Sequence, residues 1–273
     1  MVLLISALAY IYYIVDKSKD PNSSNKTIDS QIKENEPSDT KKVGRKILKI
    51  EELDELLFFN KSYSTEGVYL VFDLETTGLI KKKSAIPEYE PEKFPYVVQI
   101  SWLLFDKNKC LIEKHSYYIK QNKKIPASAT AIYNITDELV TKEGVDVMYA
   151  LKLTLKSLSN CKIVICHNLE FDWNILRAEF ARNGLEDTKN SKYLFCTMEF
   201  GKDICKIPNY GGYKRQSYKF PTLQELFRHY YFSNVKYFGL PNVLHNSEYD
   251  TAITAKCFFK MRDVDNVISH VKL

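Results

Sequence analysis

Five residues in three separated strings could do chemistry together: Asp73 and Glu75 in VYLVFDLETTGL, Asp172 in CHNLEFDWNIL, and His245 with Asp250 in LHNSEYDTAITA. Four carboxylates gathered in one place repel one another strongly unless cations hold them. Such hard oxygen ligands suit Mg²⁺ or Mn²⁺ rather than zinc. A histidine beside them is the side chain best suited to moving a proton near neutral pH. Divalent cations together with a base describe a site for hydrolysing phosphodiesters with an activated water.

Each string also has an ordinary structural explanation. Side chains alternate along a strand, so Asp73 and Glu75 project to the same face of an otherwise Val-, Leu- and Phe-rich run, as a pair on an exposed strand also would. Burying both without a cation costs several kcal/mol, on the order of the penalty for any unpaired buried charge. The turn Thr76-Thr77-Gly78 is small and lets another chain approach the backbone. Asp172 comes after a buried strand at the start of a helix, where a carboxylate serves equally as an N-cap or a metal ligand. His245 lies in the loop before a helix that carries Asp250 on its first turns. A surface histidine explains it alone; a base that swings in over a rigid carboxylate explains the pair.

Strands and helices must position these groups. Val68 to Glu75 is a continuous β-branched and aromatic run, typical of a central strand covered on both faces. A long excursion, Lys81 to Pro95, carries three prolines. VVQISWLLFD and LIEKHSYYIK are two further strands around a turn at Lys107 to Lys109, an antiparallel meander. Ala127 to Tyr133 and Thr136 to Thr141 are short helices, Met148 to Leu158 is a longer one, and KIVICHN is a buried strand ending at His167. Asp172 to Asn183, stopped by Gly184, is an amphipathic helix; Thr222 to Tyr231 and Thr251 to Arg262 are the last two. The pattern predicts an α/β fold, a mixed sheet with helices on its faces.

The chain of 273 residues has ample apolar content for a core, and its formal charge of +5 is compatible with a polyanionic partner without requiring one. None of its six cysteines forms a C-x₂-C pair, and they read as reduced, buried, small hydrophobes. Residues 2–15, VLLISALAYIYYIV, carry no charge. As a helix they reach about 21 Å, short of the ~30 Å hydrocarbon core. They lack a basic n-region and a cleavage site, so they read as a membrane anchor rather than a signal peptide. Lys17 and Lys19 then favour a cytoplasmic location for the remainder of the chain. Residues 16–66 form a polar, flexible tether plus a short helix over Ile47 to Phe59.

Taken together, FDLETTG, HNLEFD and HNSEYD, with FCTMEF and PTLQELF between the last two, resemble the DEDDh branch of the DnaQ-like 3′→5′ exonucleases, the group of polymerase proofreading domains and ribonuclease T. The resemblance covers about residues 67–262 and implies a ribonuclease H-like fold there, leaving 263–273 as a C-terminal tail. It implies that Asp73, Glu75 and Asp250 hold a first Mg²⁺ and that Asp73 bridges to a second ion near Asp172, with Mn²⁺ able to substitute. His245 takes the proton from the attacking water, and nucleoside 5′-monophosphates leave. The backbone around Thr76 and Thr77 meets the terminal nucleotide, Leu79 wedges against its base, and Asn168 and Phe171 join the substrate contacts. The expected substrates are single-stranded or frayed 3′ ends, DNA ahead of RNA, with oligoribonuclease or RNA trimming as the alternative and a non-catalytic binding module behind both. Tyr213, Lys214 and Arg215 in YGGYKRQSYK interleave aromatic and basic groups able to stack bases and neutralise phosphates, as a solvated loop also would. Lys81-Lys82-Lys83 reads as a solvated charge run.

Overall fold

Strand β2 (Tyr69–Thr76) is buried along nearly its whole length because neighbours flank it on both edges and helices cover both its faces. The structure, a computed structural model, describes residues 45–81, 84–186, 192–209, 217–235, 237–241 and 245–269. β2 pairs antiparallel with β3 (Val97–Phe105), which pairs antiparallel with β4 (Leu111–Tyr118). On its other edge β2 pairs in parallel with β5 (Ile163–Cys166), and β5 with β6 (Tyr193–Cys196). The five-stranded order is β4-β3-β2-β5-β6, the mixed sheet expected from the sequence. A separate parallel pair joins β1 (Arg45–Ile47) to β7 (Tyr237–Gly239).

The period-2 alternation of β2 divides the core. Leu70, Phe72 and Leu74 face one way, with Trp102 of β3, toward α4 (Val147–Ser159) and α5 (Leu169–Arg182). Tyr69 and Val71 face the other way, toward α7 (Leu223–Tyr231) and α8 (Ser247–Val264). Phe258 of α8 is fully buried there, and each such side chain contributes ~1.5–3 kcal/mol. Asp73 and Glu75 continue the Tyr69–Val71 register, so they open onto the face that α8 covers.

The short helices α2 (Ala127–Tyr133) and α3 (Asp137–Glu143) fall where expected and bury Ala129 and Val140 against Val98. Helix α1 (Ile50–Leu56) is shorter than the predicted Ile47 to Phe59, because Ile47 belongs to β1 and Leu57 ends the helix. Leu53 of α1 is buried in the core, and Asn60 to Ser62 exchange backbone hydrogen bonds with Leu111 of β4. Helix α6 (Thr197–Cys205) was not anticipated. All six cysteines are free thiols, four of them buried. The apolar run 2–15 lies outside the described residues; among those described, no helix is long and apolar enough to cross a membrane.

Candidate active site

The end of β2 that carries Asp73 and Glu75 outruns its neighbour. The β2–β5 ladder stops at Val71–Ile165, leaving the Leu74 N–H without a strand partner on that side. Asp172 supplies one: its Oδ1 accepts the Leu74 N–H at 3.2 Å. This corrects the N-cap alternative. Helix α5 starts at Leu169, three residues earlier than expected, with Asn168 in a left-handed conformation (φ 75°) as its cap residue. Asp172 therefore stands a turn inside the helix and spends its carboxylate on β2.

Helix α8 also begins earlier than expected, at Ser247, with the Asn246 side chain accepting the Glu248 N–H at 3.0 Å. Its start is stitched to β3 at the two positions opposite Asp73 and Glu75. Ser101, paired with Asp73, shares a 2.6 Å hydroxyl hydrogen bond with Ser247, and its carbonyl accepts the Thr251 hydroxyl. Gln99, paired with Glu75, accepts the Ser247 N–H at 3.3 Å. These contacts bring Asp250 over β2. One carboxylate oxygen from each of Asp73, Glu75 and Asp250 lies within 4.8 Å of the others, with Asp172 beside the triad.

Charge is concentrated and poorly neutralised here. Burial first, then the carboxylates of Asp172, Asp250 and Glu75, push Asp73 well above its ordinary range. Burial and its acidic neighbours carry Glu75 to about 9. Burial carries Asp250 to about 7, against the opposing N–H of His245, which donates to its Oδ2 at 3.1 Å. Burial likewise raises Asp172. The other oxygen of Asp250, Oδ1, is buried with no hydrogen-bond partner among the described residues. An orphaned carboxylate oxygen inside a hard-oxygen triad fits a divalent cation, so the residues present suit Mg²⁺ or Mn²⁺.

His245 sits at φ 63°, a conformation non-glycine residues rarely adopt, which its N–H bond to Asp250 helps hold. The residue is exposed, while its imidazole lies near Tyr133, ring centroids 6.2 Å apart, and partial desolvation lowers its pKa. A neutral imidazole near pH 7 is the form able to accept a proton. Tyr133, at the end of α2, was not anticipated in the site. Its hydroxyl is hydrogen-bonded to the Thr76 side chain, and burial followed by repulsion from Glu75, Asp73 and Asp172 raises its pKa.

The expected substrate contacts distribute unevenly. Leu79 is 52% exposed, and a Cβ at Gly78 would meet open space, so the turn after β2 is accessible. Thr76 is buried, donating to the Gly78 carbonyl at 2.7 Å, and Thr77 accepts the Tyr96 N–H at 2.9 Å. Asn168 is half-buried, while Phe171 packs against the core. Tyr213, Lys214, Arg215, Lys82 and Lys83 lie outside the described residues, as do residues 242–244 of the loop before His245. The polar positions that sequence reasoning missed, Gln99 and Ser101, had one signal: they recur at period 2 inside a strand that is otherwise apolar and buried throughout.

Comparison with known proteins places this arrangement. The family model named RNase_T, described as exonuclease, matches residues 70–258. The PolC-type DNA polymerase III of Mycoplasma genitalium is 24% identical over 199 residues, covering 71% of this chain and 11% of the relative. Its counterpart from Mycoplasmopsis pulmonis is 29% identical over 137 residues, 50% of this chain and 8% of the relative. The chain thus spans about a tenth of the length of the curated relatives it matches. Among solved structures, E. coli exonuclease I in complex with a dT13 oligonucleotide superposes with a TM-score of 0.55 at 15% identity, over 75% of this chain and 43% of that one. Exonuclease I with a dA16 oligonucleotide gives 0.53 at 15% identity, over 72% of this chain and 42% of that one.

Proposed function

The chain belongs to the DnaQ-like exonuclease family, whose model spans more than half of it, and from that premise we propose that it removes nucleotides from the 3′ end of single-stranded nucleic acid, DNA in preference to RNA, releasing nucleoside 5′-monophosphates. The observation that carries this reading is the convergence of Asp73, Glu75 and Asp250 within 4.8 Å, with Asp172 alongside and His245 bonded to Asp250. The DNA preference draws support from the polymerases among its relatives and from solved structures of the same fold that hold oligodeoxynucleotides.

Asp73, Glu75 and Asp250 would hold one divalent cation and Asp73 with Asp172 a second, Mg²⁺ or Mn²⁺, which when bound supply charge stabilisation at the scissile phosphate and acidify the attacking water. The chain's own groups do the rest. Asp250 is fixed by the His245 N–H on one oxygen and by the seam of Ser247 and Thr251 on β3 behind it. The imidazole of His245 accepts the proton of the water as its oxygen attacks phosphorus, and the 3′ oxygen leaves with the shortened strand. The turn at Gly78, where Leu79 is exposed, receives the terminal nucleotide.

The test is digestion of a 5′-labelled oligonucleotide with Mg²⁺, on matched DNA and RNA strands in parallel. His245→Ala should lower kcat about 100-fold, the lower range for loss of a general base, with KM little changed. Equal degradation by wild type and variant removes the assignment of His245. Faster digestion of RNA than DNA reverses the substrate preference. Attachment of a cytoplasmic enzyme to a membrane through residues 2–15 rests on sequence; release of the full-length protein by carbonate extraction overturns it.

A further inference from the structure

The excursion between β2 and β3 leaves the sheet at the catalytic end. Thr76 pairs with Val97, one step beyond the Glu75–Gln99 pair, and the Thr77 N–H donates to the Tyr96 carbonyl at 2.9 Å. The segment between them is fastened to α5. Arg182, 11% exposed at its side chain, donates to the carbonyls of Pro91, Phe94 and Pro95, and its guanidinium lies 4.0 Å over the Tyr96 ring. Arg177, 14% exposed, grips Glu88, its Nε donating to Oε1 at 2.8 Å. Glu179 of the same helix accepts the Val97 N–H at 2.9 Å.

These clamps hold one particular turn. The N–H groups of Tyr89 and Glu90 both donate to the Ile86 carbonyl, closing a tight turn that carries Ile86 and Tyr89 at its two ends. Glu88, inside that turn, is the residue Arg177 grips. Ile86 is 49% exposed and Tyr89 82%, although the backbone beneath them is braced. Arg177 is five residues along α5 from Asp172, about 7.5 Å further along the axis, so the turn is fastened to the helix that carries one of the carboxylates.

We infer that Ile86 and Tyr89 form a base-stacking shelf for the nucleotides just upstream of the 3′ end. This rests on the exonuclease reading and extends it to strand binding. An exposed ring on a braced backbone, with an apolar neighbour, offers a face to any base, so the shelf holds a single strand without reading its sequence. A base already stacked and paired in a duplex is not free to lie on it, which favours unpaired ends. The scissile phosphate lies beyond the shelf, so its contribution falls on binding rather than on the chemical step.

Full-length protein is assayed on a 5′-labelled single-stranded oligodeoxynucleotide with Mg²⁺. Tyr89→Ala should raise KM about 5- to 100-fold, the value of one stacked base, with kcat within about twofold. Tyr89→Phe, which keeps the ring, should retain the wild-type KM. On a strand carrying abasic sites next to its 3′ end, wild type and Tyr89→Ala should become equal. An unchanged KM for Tyr89→Ala on the base-bearing strand, or a difference that persists on the abasic strand, overturns the shelf. Wild type that fails to shorten the labelled strand from its 3′ end would instead overturn the exonuclease reading itself.

Discussion

Asp73→Asn should lower exonuclease turnover about a thousand-fold or more while leaving the protein folded. The estimate comes from its place in the cluster. Its carboxylate shares the 4.8 Å triad with Glu75 and Asp250 and also feels Asp172. It is thus the one group proposed to serve both cations, and losing their charge stabilisation removes several kcal/mol, where ~1.4 kcal/mol is a factor of ten. Asparagine keeps the size and one acceptor oxygen but removes the charge. Because the four acids repel one another without cations, the substitution relieves strain in the metal-free protein, so a lost activity cannot be blamed on unfolding. Single-turnover digestion of a labelled oligonucleotide, with a thermal melt of each protein, checks both halves. A variant that keeps more than about a tenth of wild-type turnover would sink the two-cation assignment.

The legible part of this site was whatever depends on local period. The D-x-E spacing puts Asp73 and Glu75 on one face of a strand, and the helix after the His245 loop puts Asp250 on its first turns; the structure has both. The strands flanking β2 were legible for the same reason, as were α2, whose bounds match, and α4, whose bounds moved by one residue at each end. Features that depend on long-range register were not legible. Asp172 meets the Leu74 N–H only because β5 stops pairing at Ile165, and nothing in HNLEFD states where a neighbouring strand ends. The Gln99–Ser101 seam needs the register of β3 against β2 and the position of α8 above both. Tyr133 closes on His245 from a helix more than a hundred residues earlier. Helix α6 was missed because its TMEFGKDIC has a glycine in its midst, which lowers helix propensity; there Gly201 packs too closely on Pro221 for a side chain to fit.

The same crowding predicts how cations and pH govern stability, with a readout that needs no turnover. Glu75 is held at about 9 against an ordinary 4.5, so the metal-free fold keeps it protonated. A folded pKa raised above the unfolded one means the stabilisation is whole below pH 4.5 and drains as pH rises toward 9. Asp250, carried to about 7, also titrates in that window, so the comparison is with Glu75→Gln, which keeps Asp250 and lacks the Glu75 proton. In EDTA the two proteins should melt together near pH 4.5. The variant should then gain on wild type by about 1.4 kcal/mol per pH unit, levelling off near pH 9. Mg²⁺ should narrow that gap by about half at about pH 8, between those limits. Wild type gains about 2.7 kcal/mol at a hundredfold excess over Kd, roughly 5–10 °C in Tm, because the cations now hold the ionised acids apart. Glu75→Gln, short one ligand, should gain much less. Parallel melting curves at every pH in EDTA, or an equal Mg²⁺ shift in both proteins, would mean that Glu75 neither crowds its neighbours nor binds the cation.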